Sequence, residues 1–101
     1  MRAKPTYDGH SVKLPNTSGE MEDIGSLHRA KSVDRLIAVK AFIYTEENGQ
    51  ISVRLERKHR GSNVGYWVAY KRCGGKLRKV YVSEAYALDP YNLDDAARRL
   101  L

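Results

Sequence analysis

Nine lysines and arginines fall between Arg54 and Lys79 (Arg54, Arg57, Lys58, Arg60, Lys71, Arg72, Lys76, Arg78 and Lys79), and Glu56 is the one acid among them, a local charge of +8 in a chain whose total is +6. Cations gathered at that density repel one another unless an anion lies against them. The anion they suit is phosphate, which lysine meets as a point charge and arginine as a planar fork of donors. Residues 1–50 hold seven basic and seven acidic residues, and residues 80–101 hold two and four, so the excess comes entirely from the middle. Tyr66, Trp67, Tyr70 and Tyr81 lie in or beside the same segment. Flat rings pack on sugars and bases, so cations interleaved with aromatics imply a nucleic-acid-binding surface.

Roles divide by side-chain chemistry. Arg54 and Arg72 suit base edges, because a guanidinium matches guanine O6 and N7. Lys71, Lys76, Arg78 and Lys79 suit phosphates, Tyr70 and Tyr81 suit sugar packing or donation to phosphate, and Lys58, His59 and Arg60 form a loop able to straddle a backbone. Trp67 belongs to the core side of its strand and reads as structural.

Other chemistries find little support. His10, His28 and His59 are scattered, no serine sits in a nucleophile elbow, and Gly74-Gly75 lacks the strand-to-helix setting of a phosphate loop. A small basic ribonuclease built on His59 is the best enzymatic alternative, but the expectation is a protein that is not an enzyme. Cys73 is the only cysteine, so it forms no internal disulfide, and no His or Asp cluster surrounds it at metal-ligand spacing. No metal or cofactor is expected. No apolar run reaches the length of a signal peptide or a membrane span, so a soluble, cytoplasmic protein is expected, nucleoid-associated if bacterial.

The elements that must carry these residues can be read from periodicity. At 101 residues, 42% hydrophobic and 30% charged, the chain has room for one small core. Residues 1–33 are rich in Pro, Gly, Ser and Asn without a sustained period, and read as a flexible arm. Leu36 to Tyr44 is apolar and β-branched and reads as a strand, ended by a hairpin signal at Asn48-Gly49. Ile51 to Lys58 alternates as a second strand, Tyr66 to Arg72 is a third, and Lys76 to Val82 returns from a Gly74-Gly75 turn as a fourth. Counting outward from that turn pairs Cys73 with Lys76, Lys71 with Arg78, Ala69 with Val80 and Trp67 with Val82 on one face. Arg72, Tyr70, Tyr66, Lys79 and Tyr81 then share the other. Asn92 reads as the N-cap of a C-terminal helix whose Leu93, Ala96, Ala97, Leu100 and Leu101 make one apolar stripe. The expected fold class is α+β: a three- to four-stranded antiparallel sheet packed against a C-terminal α-helix, with the arm at 1–33 and the sheet-plus-helix domain at 34–101.

The runs Gly65-Tyr66-Trp67-Val68-Ala69-Tyr70, Gly74-Gly75-Lys76-Leu77-Arg78-Lys79-Val80-Tyr81-Val82 and Leu93-Asp94-Asp95-Ala96-Ala97 together resemble the arm-type, AP2-like DNA-binding domains that precede the catalytic domain of phage and transposon tyrosine recombinases and occur in small mobile-element proteins. The resemblance covers residues 51–101. It implies a three-stranded sheet backed by a helix, with the exposed sheet face in the major groove of double-stranded DNA. The catalytic domain of such a recombinase has no room here, so the chain reads as a binder, and the Met1 start favours an intact protein. Two other partners suit the same face: RNA, and an acidic protein for which the chain would be an adaptor. An exposed Leu36–Tyr44 edge would also let a second copy pair as a homodimer.

Overall fold

The computed structural model describes residues 4–28, 30–57 and 65–101. Among these residues the fold is α+β: seven strands in one mixed sheet, with two helices. The strands are β1 (Thr6–Tyr7), β2 (Val12–Pro15), β3 (Met21–Gly25), β4 (Ala41–Glu46), β5 (Gly49–Arg57), β6 (Gly65–Cys73) and β7 (Lys76–Glu84), in the spatial order β3-β2-β1-β4-β5-β6-β7. Helix α1 (Ala30–Val39) precedes β4, and helix α2 (Pro90–Leu100) closes the chain after a short 3-10 turn at Ala85–Ala87.

The sheet is larger than the expected three or four strands and is not purely antiparallel, because β1 pairs in parallel with β4. Residues 4–28, expected to belong to a flexible arm, hold β1, β2 and β3 and the turns between them. Their Pro, Gly, Ser and Asn serve the turns between short strands. The Asp8 side chain accepts the His10 and Ser11 amides at 2.9 Å each, turning β1 into β2. Asn16 does the same for Ser18 and Glu20, at 2.9 and 3.0 Å, between β2 and β3. Such side-chain-to-backbone bonds are what these residue types supply in turns. Strands of two, four and five residues are too short to show a period, yet Tyr7, Val12 and Leu14 are buried.

The Leu36–Tyr44 run is likewise not one strand. Val33, Leu36 and Ile37 fall at helical spacing, Val33 and Leu36 are buried, and α1 runs to Val39. Lys40 follows in the left-handed region at φ 66°, its amide donating 2.8 Å to the Leu36 carbonyl, and β4 begins at Ala41. That single left-handed residue ends the helix and lets the strand begin at once, without a longer turn. β4 lies between β1 and β5, with Ile43 and Tyr44 paired to β1, so the edge strands of the sheet are β3 and β7. The turn after β4 is Glu47-Asn48, one residue earlier than Asn48-Gly49, with Glu46 opposite Gly49.

The register of the β6–β7 hairpin follows the count from the turn, with both turn glycines at positive φ (57° and 81°). It holds from Cys73–Lys76 to Val68–Tyr81. There a bulge intervenes, and Trp67 faces Ser83 rather than Val82. Helix α2 starts two residues before the expected Asn92 cap. Asp89 is the cap, its carboxylate accepting the Asn92 amide at 2.8 Å, and Pro90 occupies the first turn.

Both helices cover one face of the sheet. Val33 and Leu36 of α1 and Leu93, Ala96, Ala97 and Leu100 of α2 join the inward-facing Tyr7, Phe42, Tyr44, Ile51, Val53, Trp67 and Ala69 in one cluster. Leu101, expected in the stripe, is exposed. Trp67 is fully buried, with its indole N–H donating 3.0 Å to the Ala85 carbonyl and its ring edge-on to Phe42.

Candidate nucleic-acid interface

With both helices on one side, no described element covers the opposite face of β4–β7. Strand alternation places Ser52, Arg54 and Glu56 of β5, Tyr66, Val68, Tyr70 and Arg72 of β6, and Leu77, Lys79 and Tyr81 of β7 on it. Five of the expected contact residues (Arg54, Tyr70, Arg72, Lys79 and Tyr81) are thereby brought together. Lys71 and Arg78 face the helix side but lie beyond the core at the hairpin end, with Lys76 next to the turn. Lys71 donates 3.2 Å to the Gln50 carbonyl. Lys58 and Arg60, and the His59 between them, lie outside the described residues.

The centre of this face is organised by an acid. Glu56 accepts the hydroxyls of Tyr66, at 3.2 Å, and Tyr70, and the Lys79 ammonium stands 3.0 Å from its Oε1. The Tyr70 hydroxyl, then the Lys79 ammonium, hold the Glu56 carboxyl below the ordinary range. Lys79 is raised chiefly by its hydrogen bond to Glu56. Tyr70 is raised by burial first and by the Glu56 bond second. Arg54 and Lys79 also lie 5.9 and 5.6 Å from the Tyr70 ring centroid. The Tyr66 and Tyr81 rings are 5.9 Å apart. Val68, at the middle of this patch between Arg54 and Tyr81, is only 2% exposed although it belongs to no helix-side cluster.

Gly65 lets β5 and β6 meet at the end of the patch: a Cβ there would stand 2.6 Å from the Glu56 carbonyl oxygen. Cations free of this network stand around it. Among the described residues, Arg72, Lys76 and Arg78 are exposed and form no ion pair, whereas Arg98 and Arg99 of α2 are paired with Asp94 and Asp95.

Neither family models nor curated proteins nor solved structures match this chain. What the site can do therefore follows from its own geometry: a rigid centre, neutral in charge, ringed by exposed cations on an uncovered sheet.

The sequence reading missed two features. Glu56 had a signal, being the lone acid in a basic segment, but its role as the acceptor for three donors depends on side chains leaning across three strands. The second is a cleft of about 490 Å³ between the Tyr70–Arg54 pair and the two residues just before β1, Lys4 and Pro5. No pattern announces it, because it exists only through the parallel pairing of β1 with β4. Among the described residues no helix is long and apolar enough to cross a membrane, and no group of three or more His, Cys, Asp or Glu could hold a metal.

Proposed function

We propose that this protein binds double-stranded DNA, laying the uncovered face of β5–β7 in the major groove while the hairpin end grips the backbone. The observation that carries the reading is the segregation of faces: both helices pack on one side, and Arg54, Arg72, Lys79 and Tyr81 are left exposed together on the other. The antiparallel strands β5, β6 and β7 with α2 on one face support this reading, and the AP2-like resemblance of residues 51–101 suggests the same use of the open face. On this reading Arg72 reads a base edge and Lys76, Arg78 and Lys71 meet phosphates, with Arg54 beside the cleft. A mobile element, phage or plasmid is the setting the resemblance suggests.

RNA is the second reading, favoured by the exposed ring of Tyr81 and its neighbour Tyr66, since unpaired bases stack on such rings. A mobility-shift series with duplex DNA, single strands and duplex RNA separates the two. Preference for duplex DNA is expected, with a log–log salt slope of about −4.5 for about five phosphate contacts. Equal weak binding to all three at physiological salt, or a slope near zero, overturns the DNA reading and leaves an acidic protein as the partner to seek.

A further inference from the structure

We infer that the cleft beside Tyr70 is a base-binding site, taking one unpaired nucleobase extruded from the nucleic acid that the surrounding cations hold; this rests on the nucleic-acid reading above. The cleft arises because small side chains stand mid-face. Ala41 of β4 and Ser52 of β5 lie between higher walls, Tyr70 and Arg54 on one side and Pro5 on the other, and the Ile43 side chain makes its apolar floor. At about 490 Å³ it lies within the roughly 300–1,000 Å³ of clefts that enclose small organic ligands. Size decides between two ways of touching a base: a thymine methyl projecting from a paired base would leave almost all of this space empty, whereas the cleft has room for a whole base together with its sugar.

The chemistry of the walls fits a flat, polar-edged ring. Tyr70 is held from its hydroxyl by Glu56, so its ring is set before a ligand arrives and costs little to order. The Arg54 guanidinium near that ring adds a second planar group on which a base can stack. Ser52, exposed in mid-cleft, offers one donor and two lone pairs to a base edge. Lys4 at the far rim and Arg54 at the near one place positive charge on both sides of the opening, where the phosphates flanking an extruded nucleotide must lie. A base already unpaired is the cheapest to bring there, because no base pair is broken.

Fluorescence anisotropy on three labelled DNA duplexes tests this: fully paired, carrying one bulged thymidine, and carrying an abasic residue in the same bulge. Binding of the thymidine bulge at least tenfold tighter than of the abasic bulge is expected, and equal binding of the two overturns the base site. Ala41→Trp and Ser52→Leu each fill the cleft from an exposed position, so the thymidine-to-abasic ratio should fall to about one in whichever variant keeps its wild-type melting curve. A ratio unchanged in a folded variant places the base elsewhere and overturns the cleft. Binding of the paired duplex without any bulge preference removes the cleft alone, whereas no binding of any duplex removes the nucleic-acid reading and the cleft with it.

Discussion

Lys79 on β7 reaches across β6 to Glu56 on β5, its ammonium 3.0 Å from one carboxylate oxygen and 3.1 Å from the other. One of the nine cations that define the basic segment is therefore already answered by the only acid in it. The two tyrosine hydroxyls on the same carboxylate tie β6 to β5, and Lys79 adds β7, so the three strands of the proposed reading face meet at Glu56. That arrangement makes the face stiff and puts its uncompensated charge at the periphery.

Glu56→Gln should tighten duplex DNA binding several-fold, because it removes the negative charge at the centre of the face and releases Lys79. The salt slope should steepen by about 0.9, the value of one added phosphate contact. A salt titration of the variant beside the wild type reads both, and an unchanged slope would mean that Lys79 already contacts phosphate with Glu56 in place.

Acid should weaken the fold through the same carboxylate. Its folded pKa lies below the ordinary value of 4.5, so its contribution is fully present above that pH and is lost as pH falls through the folded value. Asp8, lowered by the Ser11 and His10 amides, titrates in the same sense. Melting temperatures from pH 6 down to 3 should fall less steeply in Glu56→Gln and in Asp8→Asn than in the wild type.

Alkali acts through buried phenols. Burial, with Tyr44 and Asp8 nearby, pushes Tyr7 up to about 12, so the folded protein keeps this proton after the unfolded chain has lost it. Stability from Tyr7 is full below its ordinary value of 10.0 and declines as pH rises from there toward 12. Tyr7→Phe should flatten the fall in melting temperature over that interval.

Arg72→Ala should weaken duplex binding by roughly tenfold, as expected for loss of a base contact worth about 1–3 kcal/mol. Trp67→Phe is the contrasting case. It should cost about 1 kcal/mol or more of stability through the lost bond to the Ala85 carbonyl, with DNA affinity unchanged. Chemical denaturation and anisotropy on both variants separate contact from support, and a Trp67→Phe protein that is stable but binds poorly would move Trp67 to the interface.

The two ends of the helices give opposite signs. Lys40 sits at φ 66°, where a side chain is strained by about 1–2 kcal/mol, so Lys40→Gly should stabilise by about 0.5–1 kcal/mol after the cost of glycine's freedom. Asp89→Ala removes the α2 cap and should destabilise by about 1 kcal/mol. Urea midpoints measure both.

What the residues determined by themselves is the part governed by local rules. The Gly74-Gly75 turn specifies a hairpin register by counting, and alternation outward from it separates Trp67 and Ala69 from Tyr70 and Arg72. The 3.6-residue stripe from Leu93 to Leu100 specifies a helix that must cover an apolar face. Those three facts suffice to leave the cations of β5–β7 on an open surface.

Tertiary structure decided whatever depends on partners distant in sequence. Strands as short as Thr6–Tyr7 form only because β2 and β4 flank them, so their residues look like a loop when read alone. The apolar stretch from Leu36 to Tyr44 is compatible with helix or strand, and the choice fell at Lys40, where α1 had to end to bring Phe42 and Tyr44 against the core. Glu56 became the hub of the open face, and the cleft beside Tyr70 came to exist, for the same reason: each needs side chains from three or more strands whose order no local pattern encodes.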